Sequence, residues 1–399
     1  MSIFKLCLAM AALSAAPLAH AQQKPAPLVS EELNVAELAA TLQPHWVWVN
    51  DVSFTHISDG RAYLLDADKG QFLGMISGGV AHGALQLAPD GKSFSVPSTF
   101  LSRGTRGERT DVVTFYDAST LKPGKEVIIP PKRMAALPFL SAMPLSDDGR
   151  FSLIYNFTPE QSVTVVDAVA RSLVGEFPTA GCALIYPTGA RSFMMQCGDG
   201  SLQSMALDEG GKITSNGTSA RIFAEKDPAN EKPVRVAEKQ WLFFTYSSTA
   251  YLVDASGKVP VQKQKWSLVS KDDAGWRIGG MQPAAYHAPS RRLFTLMHQG
   301  GEFTHKQPGT EVWVYDLKTN KRIARYKLDV PAGAIAVSGD DQPFLYAVMF
   351  GAPELRVIDA MTGKPVRTIG DMSREMSLIQ PSPVPAVAKS GAVPAKPGA

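Results

Sequence analysis

An aspartate that ends a short apolar strand segment recurs seven times along this chain of 399 residues. Successive copies lie 41 to 62 residues apart, and most follow alternating or β-branched residues, as in Val163–Asp167. A period of about 40 to 50 residues with several strands per unit is the signature of a β-propeller blade. We therefore predict an all-β fold, a seven-bladed β-propeller with four-stranded antiparallel blades. The recurring residues are Asp66, Asp117, Asp167, Asp208, Asp254, Asp316 and Asp359.

A tight-turn signal comes before the Asp-terminated strand in most of these units. Examples are Leu87–Phe94, which contains Pro-Asp-Gly, and Leu145–Phe151, which contains Asp-Asp-Gly. Asp-Gly pairs between β-rich runs are typical of hairpins, because Gly, Asn and Asp accept the positive φ that tight turns need. We therefore interpret each recurring aspartate as a turn cap rather than as a ligand.

The propeller is predicted to span residues 45–380 as one closed domain. Its first unit has little room for four strands, because the segment Trp46–His56 is nearly all that precedes the strand ending at Asp66. A propeller closes only if the two ends of its chain meet in the ring. We therefore expect residues near Met376–Ile379 to supply the missing strand.

The first 21 residues have the pattern of an export signal. Lys5 supplies a positive start, Leu6–Leu18 is apolar or small, and Ala19–Ala21 has the small-x-small form that signal peptidase cuts. The apolar run is shorter than the roughly 20 residues that a membrane-spanning helix needs. We predict a signal peptide at residues 1–21 and a periplasmic protein without a membrane segment.

Two further segments lie outside the predicted ring. In residues 22–44, Ser30 and two acidic residues precede apolar residues at helical spacing from Leu33 to Leu42. This pattern predicts a short amphipathic N-terminal helix that serves as an arm. Residues 381–399 consist mostly of Pro, Ala, Val, Lys, Gly and Ser, which predicts a disordered tail.

Charge and cysteine content limit the possible partners. The formal net charge is only +3, which gives no support to nucleic-acid binding. Removal of the signal peptide takes Cys7 away and leaves Cys182 and Cys197. Two cysteines in an oxidising compartment indicate one disulfide. The alternative is a metal pair or a redox dithiol, although the spacing is not Cys-x-x-Cys.

No common catalytic or cofactor-binding motif occurs in the sequence. His287, His298 and His305 form a loose group whose spacing does not match a compact metal motif, so we interpret them as structural. An arginine-rich run in the second unit contains Arg103, Arg106 and Arg109, with acidic residues between and after them. It is either an anion site or an ion-pair network that orders a long loop or contacts a partner.

Several separate stretches resemble one protein family. They are the run from Gly275 to Asp316, the motif Arg106–Asp111, and the cysteine pair with Cys197–Leu202. Each resembles the heavy subunit of the quinoprotein amine dehydrogenases, and the motifs agree in order and spacing. The resemblance covers nearly the whole chain after the signal peptide, apart from the Pro-rich tail.

This resemblance implies a division of labour between two chains. In that family a small light chain carries tryptophan tryptophylquinone and the catalytic base, and two heavy and two light chains form a heterotetramer. The enzyme converts a primary amine and water to an aldehyde and ammonia. Electrons pass to a periplasmic blue-copper protein of the azurin or amicyanin kind. The present chain is then expected to be a non-catalytic heavy subunit without a cofactor or metal of its own.

The resemblance also points to the residues that line the substrate access path and the interface. By position, Ser77–His82 and Pro97–Arg103 are the expected segments. A methylamine enzyme of this family has an aromatic residue just after the first Gly-Gly, whereas this chain has Val80 there and an aromatic residue at Phe100. The smaller side chain favours aralkylamines over methylamine. The full expected set is Val80, Phe100, Leu101, Arg103, Arg106, Arg109 and His305.

Two other classes of function remain open at this point. A propeller enzyme acting alone, such as a lactonase-type hydrolase, needs a metal-ligating set of acidic, amide or imidazole side chains in its central funnel. A stand-alone binding protein built from propeller repeats is the other alternative, and the pattern at Asp359–Gly363 fits such repeats. The heavy-subunit interpretation is distinguished from both by its requirement for a second polypeptide.

Overall fold

The computed structural model describes residues 37–52, 54–136, 138–373 and 375–383. Within these residues the chain is almost entirely β-strands and turns, and no α-helix occurs. No helix in this part of the chain is long and apolar enough to cross a membrane. The helical elements present are the 3-10 turns Phe54–His56, Leu140–Ala142 and Lys271–Asp273.

The strands form seven consecutive antiparallel blades, which confirms the predicted fold. The third blade has three full strands, and its inner position is reduced to a bridge between Leu145 and Ser152. In chain order, blade 1 contains β1 (Trp46–Asp51), β2 (Gly60–Asp66) and β3 (Gln71–Gly79); blade 2 contains β4 (Gln86–Leu87), β5 (Ser93–Leu101), β6 (Arg109–Asp117) and β7 (Pro123–Ile129); blade 3 contains β8 (Phe151–Asn156), β9 (Ser162–Asp167) and β10 (Ser172–Pro178); blade 4 contains β11 (Cys182–Gly189), β12 (Ser192–Cys197), β13 (Leu202–Leu207) and β14 (Ile213–Thr218).

The second half of the ring follows the same plan, with one strand shared between two blades. That strand is 17 residues long, and its first part pairs within blade 6 while its last part pairs within blade 7. Blade 5 contains β15 (Val234–Ala237), β16 (Gln240–Phe244), β17 (Thr249–Asp254) and β18 (Val261–Ser267); blade 6 contains β19 (Trp276–Ile278), β20 (Ala284–His287), β21 (Arg292–Gln299) and β22 (Gly309–Asp316); the shared strand is β23 (Lys321–Val337); blade 7 continues with β24 (Phe344–Met349), β25 (Leu355–Asp359) and β26 (Pro365–Ile369); and β27 is Met376–Pro381.

The last strand closes the ring inside the first blade. Strand β27 pairs antiparallel with β1, and Ile379 lies opposite Val49. Both side chains are fully buried in a cluster with residues of blade 7. The prediction that residues near Met376–Ile379 supply the missing strand is therefore confirmed.

The recurring aspartates cap turns, as their spacing predicted. In every copy one carboxylate oxygen accepts one or two backbone N–H groups of the turn that follows, at 2.8 to 3.0 Å. Asp66, for example, accepts from the N–H groups of Asp68 and Lys69. Each carboxylate thereby satisfies donors that the strand ladder leaves unpaired.

Alternate residues of one strand pack against two different neighbouring blades. In β9, Val163 and Val165 belong to the cluster shared with blade 4, whereas Val166 belongs to the cluster shared with blade 2. Because successive side chains of a strand point to opposite faces, a blade between two others must be apolar on both. This explains why β9 is buried along its whole length.

Antiparallel strand order gives the ring two different faces. The turns after the recurring aspartates and the Asp-Gly hairpins lie on one face, which we call the turn face. The connections between the second and third strands of each blade, and those that lead to the next blade, lie on the other face, which we call the loop face. Segments of the loop face include Ser102–Glu108, Phe157–Gln161, Gly300–Pro308 and Phe350–Glu354.

The described end of the N-terminal arm is not helical. Residues 37–44 run as an extended and bent segment, in which Leu38 N–H donates to Ser119 O at 2.8 Å and Leu42 N–H donates to Gly91 O at 3.3 Å. Leu42 is buried in the cluster of blades 1 and 2. The predicted helix is therefore wrong for this portion, because its apolar residues pack on blade 2 instead. Residues 1–36, including the predicted signal peptide, and residues 384–399 of the predicted tail lie outside the described part.

The two remaining cysteines are joined in the predicted disulfide. Cys182 and Cys197 lie directly opposite each other in β11 and β12, with their Cα atoms 3.9 Å apart. The bond crosslinks the two inner strands of blade 4 and leaves neither thiol free as a ligand.

The closing strand offers a direct test of the ring. Replacing Ile379 with Ala should lower the free energy of unfolding by about 3 kcal/mol, because it leaves a cavity between blades 1 and 7. The matched control is Val366→Ala on the exposed outer strand β26, which should cost at most about 0.5 kcal/mol. Denaturant unfolding measures both. Equally small losses of unfolding free energy in both variants would contradict a role for β27 in closing the ring.

Candidate functional site

All the residues expected at the substrate access path lie on the loop face, but in two separate places. Val80 follows β3, and Phe100 and Leu101 end β5, so these residues meet at the junction of blades 1 and 2. His305 lies in the loop between β21 and β22 of blade 6. The structure therefore brings most of the set together and leaves His305 on another part of the ring.

A glycine lets the two neighbouring blades meet at Val80 and Phe100. Gly79 pairs with Thr99 in a parallel bridge, and Val80 N–H donates to Thr99 O at 2.8 Å. Gly79 has φ +70°, and a Cβ there would lie 2.5 Å from Thr99 O and 3.0 Å from the Phe100 ring. The ring consequently rests against Gly79 beside Val80, with 41% of Phe100 still exposed.

Below this surface Asp111 is the centre of a buried polar network. It is fully buried and accepts two hydrogen bonds from Arg109, at 2.8 and 2.7 Å. It also accepts from Thr99 Oγ1 at 2.8 Å and from Arg133 N–H at 3.1 Å. A buried carboxylate requires such donors, because an unpaired buried charge is costly.

Arg133 connects this network to the segment that carries Val80. Its guanidinium is buried and donates to Thr99 Oγ1 at 2.9 Å, to Val80 O at 2.9 Å and to Ala81 O at 3.4 Å. Burial lowers the pKa of Arg133 to about 10, and the charge of Asp111 opposes that effect. The side chain therefore stays protonated at neutral pH and keeps all its donors.

His82 fills the space next to the same segment. A Cβ at Gly78 would lie 1.9 Å from its Nδ1, so that glycine is required by the imidazole. Burial, with a smaller contribution from Arg133, lowers the pKa of His82 to about 3, so the ring is neutral. Its Nε2 lies 2.8 Å from Asn50 Oδ1, and the Asn50 amide donates to Gln380 of the closing strand.

Sequence reasoning missed this buried layer. Arg133 follows Pro-Pro-Lys in a connection without any motif, and nothing in its local sequence distinguishes it from a surface arginine. A signal is present in the sequence, because the consecutive glycines Gly78 and Gly79 lie four and three residues before His82 and permit a close approach of the backbone.

The arginine-rich run divides into two parts. Arg109 belongs to the buried ion-pair network with Asp111. Arg103 and Arg106 are exposed on a hairpin loop that is ordered by backbone bonds, including Ser102 N–H to Glu108 O at 2.9 Å. The ion-pair interpretation therefore holds for Arg109, and the other two arginines present their charge to solvent beside Phe100.

His305 lies in an aromatic group of its own. Its ring stacks on Tyr246 with centroids 3.9 Å apart, and burial lowers the pKa of the imidazole. His298 bonds Thr304 and His287 bonds Ser290, so each histidine of the loose group has a different partner. Among the described residues, no three His, Cys, Asp or Glu side chains lie close enough together to hold a metal ion.

The loop face exposes a series of large apolar side chains. Phe303 and Phe350 are the most exposed, at 74% and 65% of their surface. Such residues on a rigid scaffold are typical of a surface that contacts another molecule. The side chains that the loop face exposes in this way are Phe54, Ile57, Phe100, Leu140, Phe157, Phe303 and Phe350.

A channel runs through the centre of the ring. Its cavity of about 650 Å³ is lined by the innermost segments of all seven blades, including Gln86, Tyr186, Glu231 and Leu378. Lys232 is almost fully buried in its wall and donates to Gly280 O at 2.9 Å. Burial lowers the pKa of this ammonium group. The charged side chains that line the channel lie in pairs, Arg235 with Asp147 at 2.7 Å and Lys232 with Glu231 at 3.9 Å.

Fold and site together define a class of protein. The chain is a seven-bladed β-propeller whose loop face presents exposed aromatic residues around a Val80–Phe100 surface. Beneath that surface Asp111 forms a buried ion pair with Arg109 and accepts a hydrogen bond from the Thr99 hydroxyl.

Comparison with known proteins gives the family. Residues 43–381 match the family described as "Methylamine dehydrogenase heavy chain (MADH)". The heavy chain of Methylophilus methylotrophus methylamine dehydrogenase is 32% identical over 355 residues, which cover 88% of this chain and 86% of that protein. The corresponding heavy chain of Methylorubrum extorquens is 29% identical over 354 residues, with 86% and 84% covered. The chain belongs to the methylamine dehydrogenase heavy-chain family.

A solved structure shows the same fold without close sequence similarity. A functionally unknown protein from Desulfotomaculum acetoxidans superposes with a TM-score of 0.59 at 9% identity. The match covers 84% of this chain and 98% of that one. At this identity the similarity concerns the fold alone.

The close packing of Thr99 and Phe100 against Gly79 can be tested by adding a methyl group at Gly79. Gly79→Ala should lower the free energy of unfolding by about 3 kcal/mol, because a strained φ is combined with a clash against Thr99 O and the Phe100 ring. Gly104→Ala is the matched control, since Gly104 has φ +73° but no atom within 4 Å of the added methyl. It should cost only about 1 kcal/mol. Denaturant unfolding measures both variants. A similar loss of unfolding free energy in the two would contradict the close packing at the junction of blades 1 and 2.

Proposed function

We propose that this chain is the non-catalytic heavy subunit of a periplasmic tryptophan tryptophylquinone amine dehydrogenase. The enzyme oxidises primary amines to aldehyde and ammonia and passes electrons to a blue-copper protein of the azurin or amicyanin kind. The quinone is carried by a separate light chain, where it supplies the oxidation chemistry. Membership of the heavy-chain family supports this proposal. Export to the periplasm rests on the signal-peptide pattern of residues 1–21.

The loop face is the surface on which the light chain docks. The single observation that carries this assignment is the set of apolar side chains exposed there from several different blades, with Phe157, Phe303 and Phe350 among them. A surface of this kind buries apolar area when a partner covers it, and that area is the main source of affinity. The family's heterotetramer supplies such a partner, with two heavy and two light chains.

Charge contributes to docking at one edge of this face. Arg103 and Arg106 are exposed next to Phe100, and neither guanidinium is engaged in the ion-pair network below. Exposed cations beside an apolar contact increase the rate of association with an acidic surface. The arginine loop therefore orients the light chain toward the junction of blades 1 and 2.

The substrate access path passes Val80 and Phe100. A methylamine enzyme of this family has an aromatic residue just after the first glycine pair, and this chain has the smaller Val80 there. The Phe100 ring rests against Gly79 instead, and so borders the same place from the neighbouring blade. A wider opening with an aromatic wall favours aralkylamines over methylamine. Leu101 and Arg109 support the wall, and His305 belongs to a separate part of the interface.

Co-expression with the light chain tests the proposal. The full-length heavy chain, exported together with a candidate light chain from a neighbouring reading frame, should co-purify as a heterotetramer that reduces a dye acceptor when given a primary amine. The heavy chain alone should show neither amine oxidation nor quinone absorbance. Activity of the isolated chain, or failure to bind any light chain, would reject the proposal and favour a stand-alone propeller enzyme or binding protein.

Phe100 provides the test of substrate preference. In the assembled enzyme, Phe100→Ala should change the ratio of kcat/KM for phenylethylamine to that for methylamine by about tenfold, because one wall of the access path is lost. The control is Phe72→Ala, which removes a more exposed ring, 58% against 41% for Phe100, from the outer strand β3. Steady-state assays with both amines measure the ratio. An unchanged ratio in the Phe100 variant would remove this residue from the path.

A further inference from the structure

We propose that Arg133 is a positioning residue for amine selectivity, which acts by fixing the segment Gly78–His82 that carries Val80. The inference rests on the proposed function, because it concerns the same access path. Arg133 does not lie at the surface of the path, and it acts through the backbone that it holds.

Arg133 binds the segment from below at two consecutive carbonyl groups. One guanidinium nitrogen donates to Val80 O at 2.9 Å, and another donates to Ala81 O at 3.4 Å. These oxygens would otherwise be buried acceptors that the strand ladder does not satisfy. The planar fork of a guanidinium can serve both at once, whereas an ammonium group cannot do so in the same geometry.

The segment needs this support because its own backbone is not in a relaxed conformation. Ala81 has φ +47°, which is unfavourable for a residue with a side chain. The two glycines before Val80 add conformational freedom in the unsupported state. The Ala81 N–H donates to Ile57 O at 2.7 Å, and His82 is held by Asn50. Arg133 is the charged group among these anchors.

The same guanidinium also controls the other wall of the path. It donates to Thr99 Oγ1 at 3.2 and 2.9 Å, and Thr99 directly precedes Phe100. Thr99 in turn donates to Asp111, which accepts from the backbone N–H of Arg133. A substitution at Arg133 therefore changes the distance between Val80 and Phe100. That distance sets the width of the access path.

The test compares two variants of the network with a matched control. Arg133→Lys keeps the charge but loses the fork, and Thr99→Val removes the shared hydroxyl with little change in volume. Arg322→Lys is the control, because Arg322 also binds a buried carboxylate, that of Asp273 at 2.7 Å, in blade 6. Each is prepared as the heavy–light complex for kinetics and as the full heavy chain for amide hydrogen exchange.

We expect a change in amine selectivity together with faster hydrogen exchange in the segment Gly78–His82. The ratio of kcat/KM for phenylethylamine to that for methylamine should change by about tenfold in Arg133→Lys and about threefold in Thr99→Val, since small displacements at a reaction path have effects of this order. Hydrogen exchange at residues 78–82 should accelerate in both. Arg322→Lys should leave the ratio and this exchange unchanged, whatever its effect on thermal stability.

Two results would overturn this inference without affecting the proposed function. A ratio that is unchanged in both variants of an active complex means that Arg133 is structural only, and the proposed function then survives. Unchanged hydrogen exchange at residues 78–82 in Arg133→Lys means that the guanidinium does not hold the segment. If the unsubstituted complex oxidises no amine, the proposed function fails, and this inference fails with it.

Discussion

The pairing of the last strand with the first is the interaction on which the whole ring depends. Strand β27 enters blade 1 beside β1, and its buried residues fill the space between blades 1 and 7. Every blade in a ring has two neighbours, so each sheet must be apolar on both sides. Without closure, blades 1 and 7 would each expose an apolar face to water. Closure is therefore a condition for the burial of all seven sheets.

The closing strand also reaches the candidate site. Gln380 of β27 accepts from the Asn50 amide, and Asn50 lies against His82 at the end of the segment that carries Val80. From the other side, Arg133 holds the same segment through Val80 O. The candidate site is thus built on groups from blade 1, blade 2 and the C-terminal strand. Its geometry depends on the completed ring and cannot form from any one blade.

The two faces of the ring have different physical tasks. On the turn face, aspartates such as Asp117 bind the backbone of short turns, and these turns leave little room for variation. On the loop face, connections differ in length and carry exposed side chains such as Phe157 and Phe303. Because the core between blades fixes the strands, the loops can change without loss of the fold. An interface on this face is therefore compatible with a rigid scaffold.

The sequence by itself determined the features that are local or periodic. The spacing of the aspartates fixed seven blades, the short first unit predicted the closing strand, and the cysteine count predicted the disulfide, because each follows from backbone chemistry or composition. The family was also readable from ordered motifs. Tertiary structure alone decided that Leu42 packs on blade 2 rather than in a helix, that His305 lies apart from Val80, and that Arg133 joins Val80 to Thr99. These outcomes depend on contacts between residues far apart in the chain, which no local pattern records.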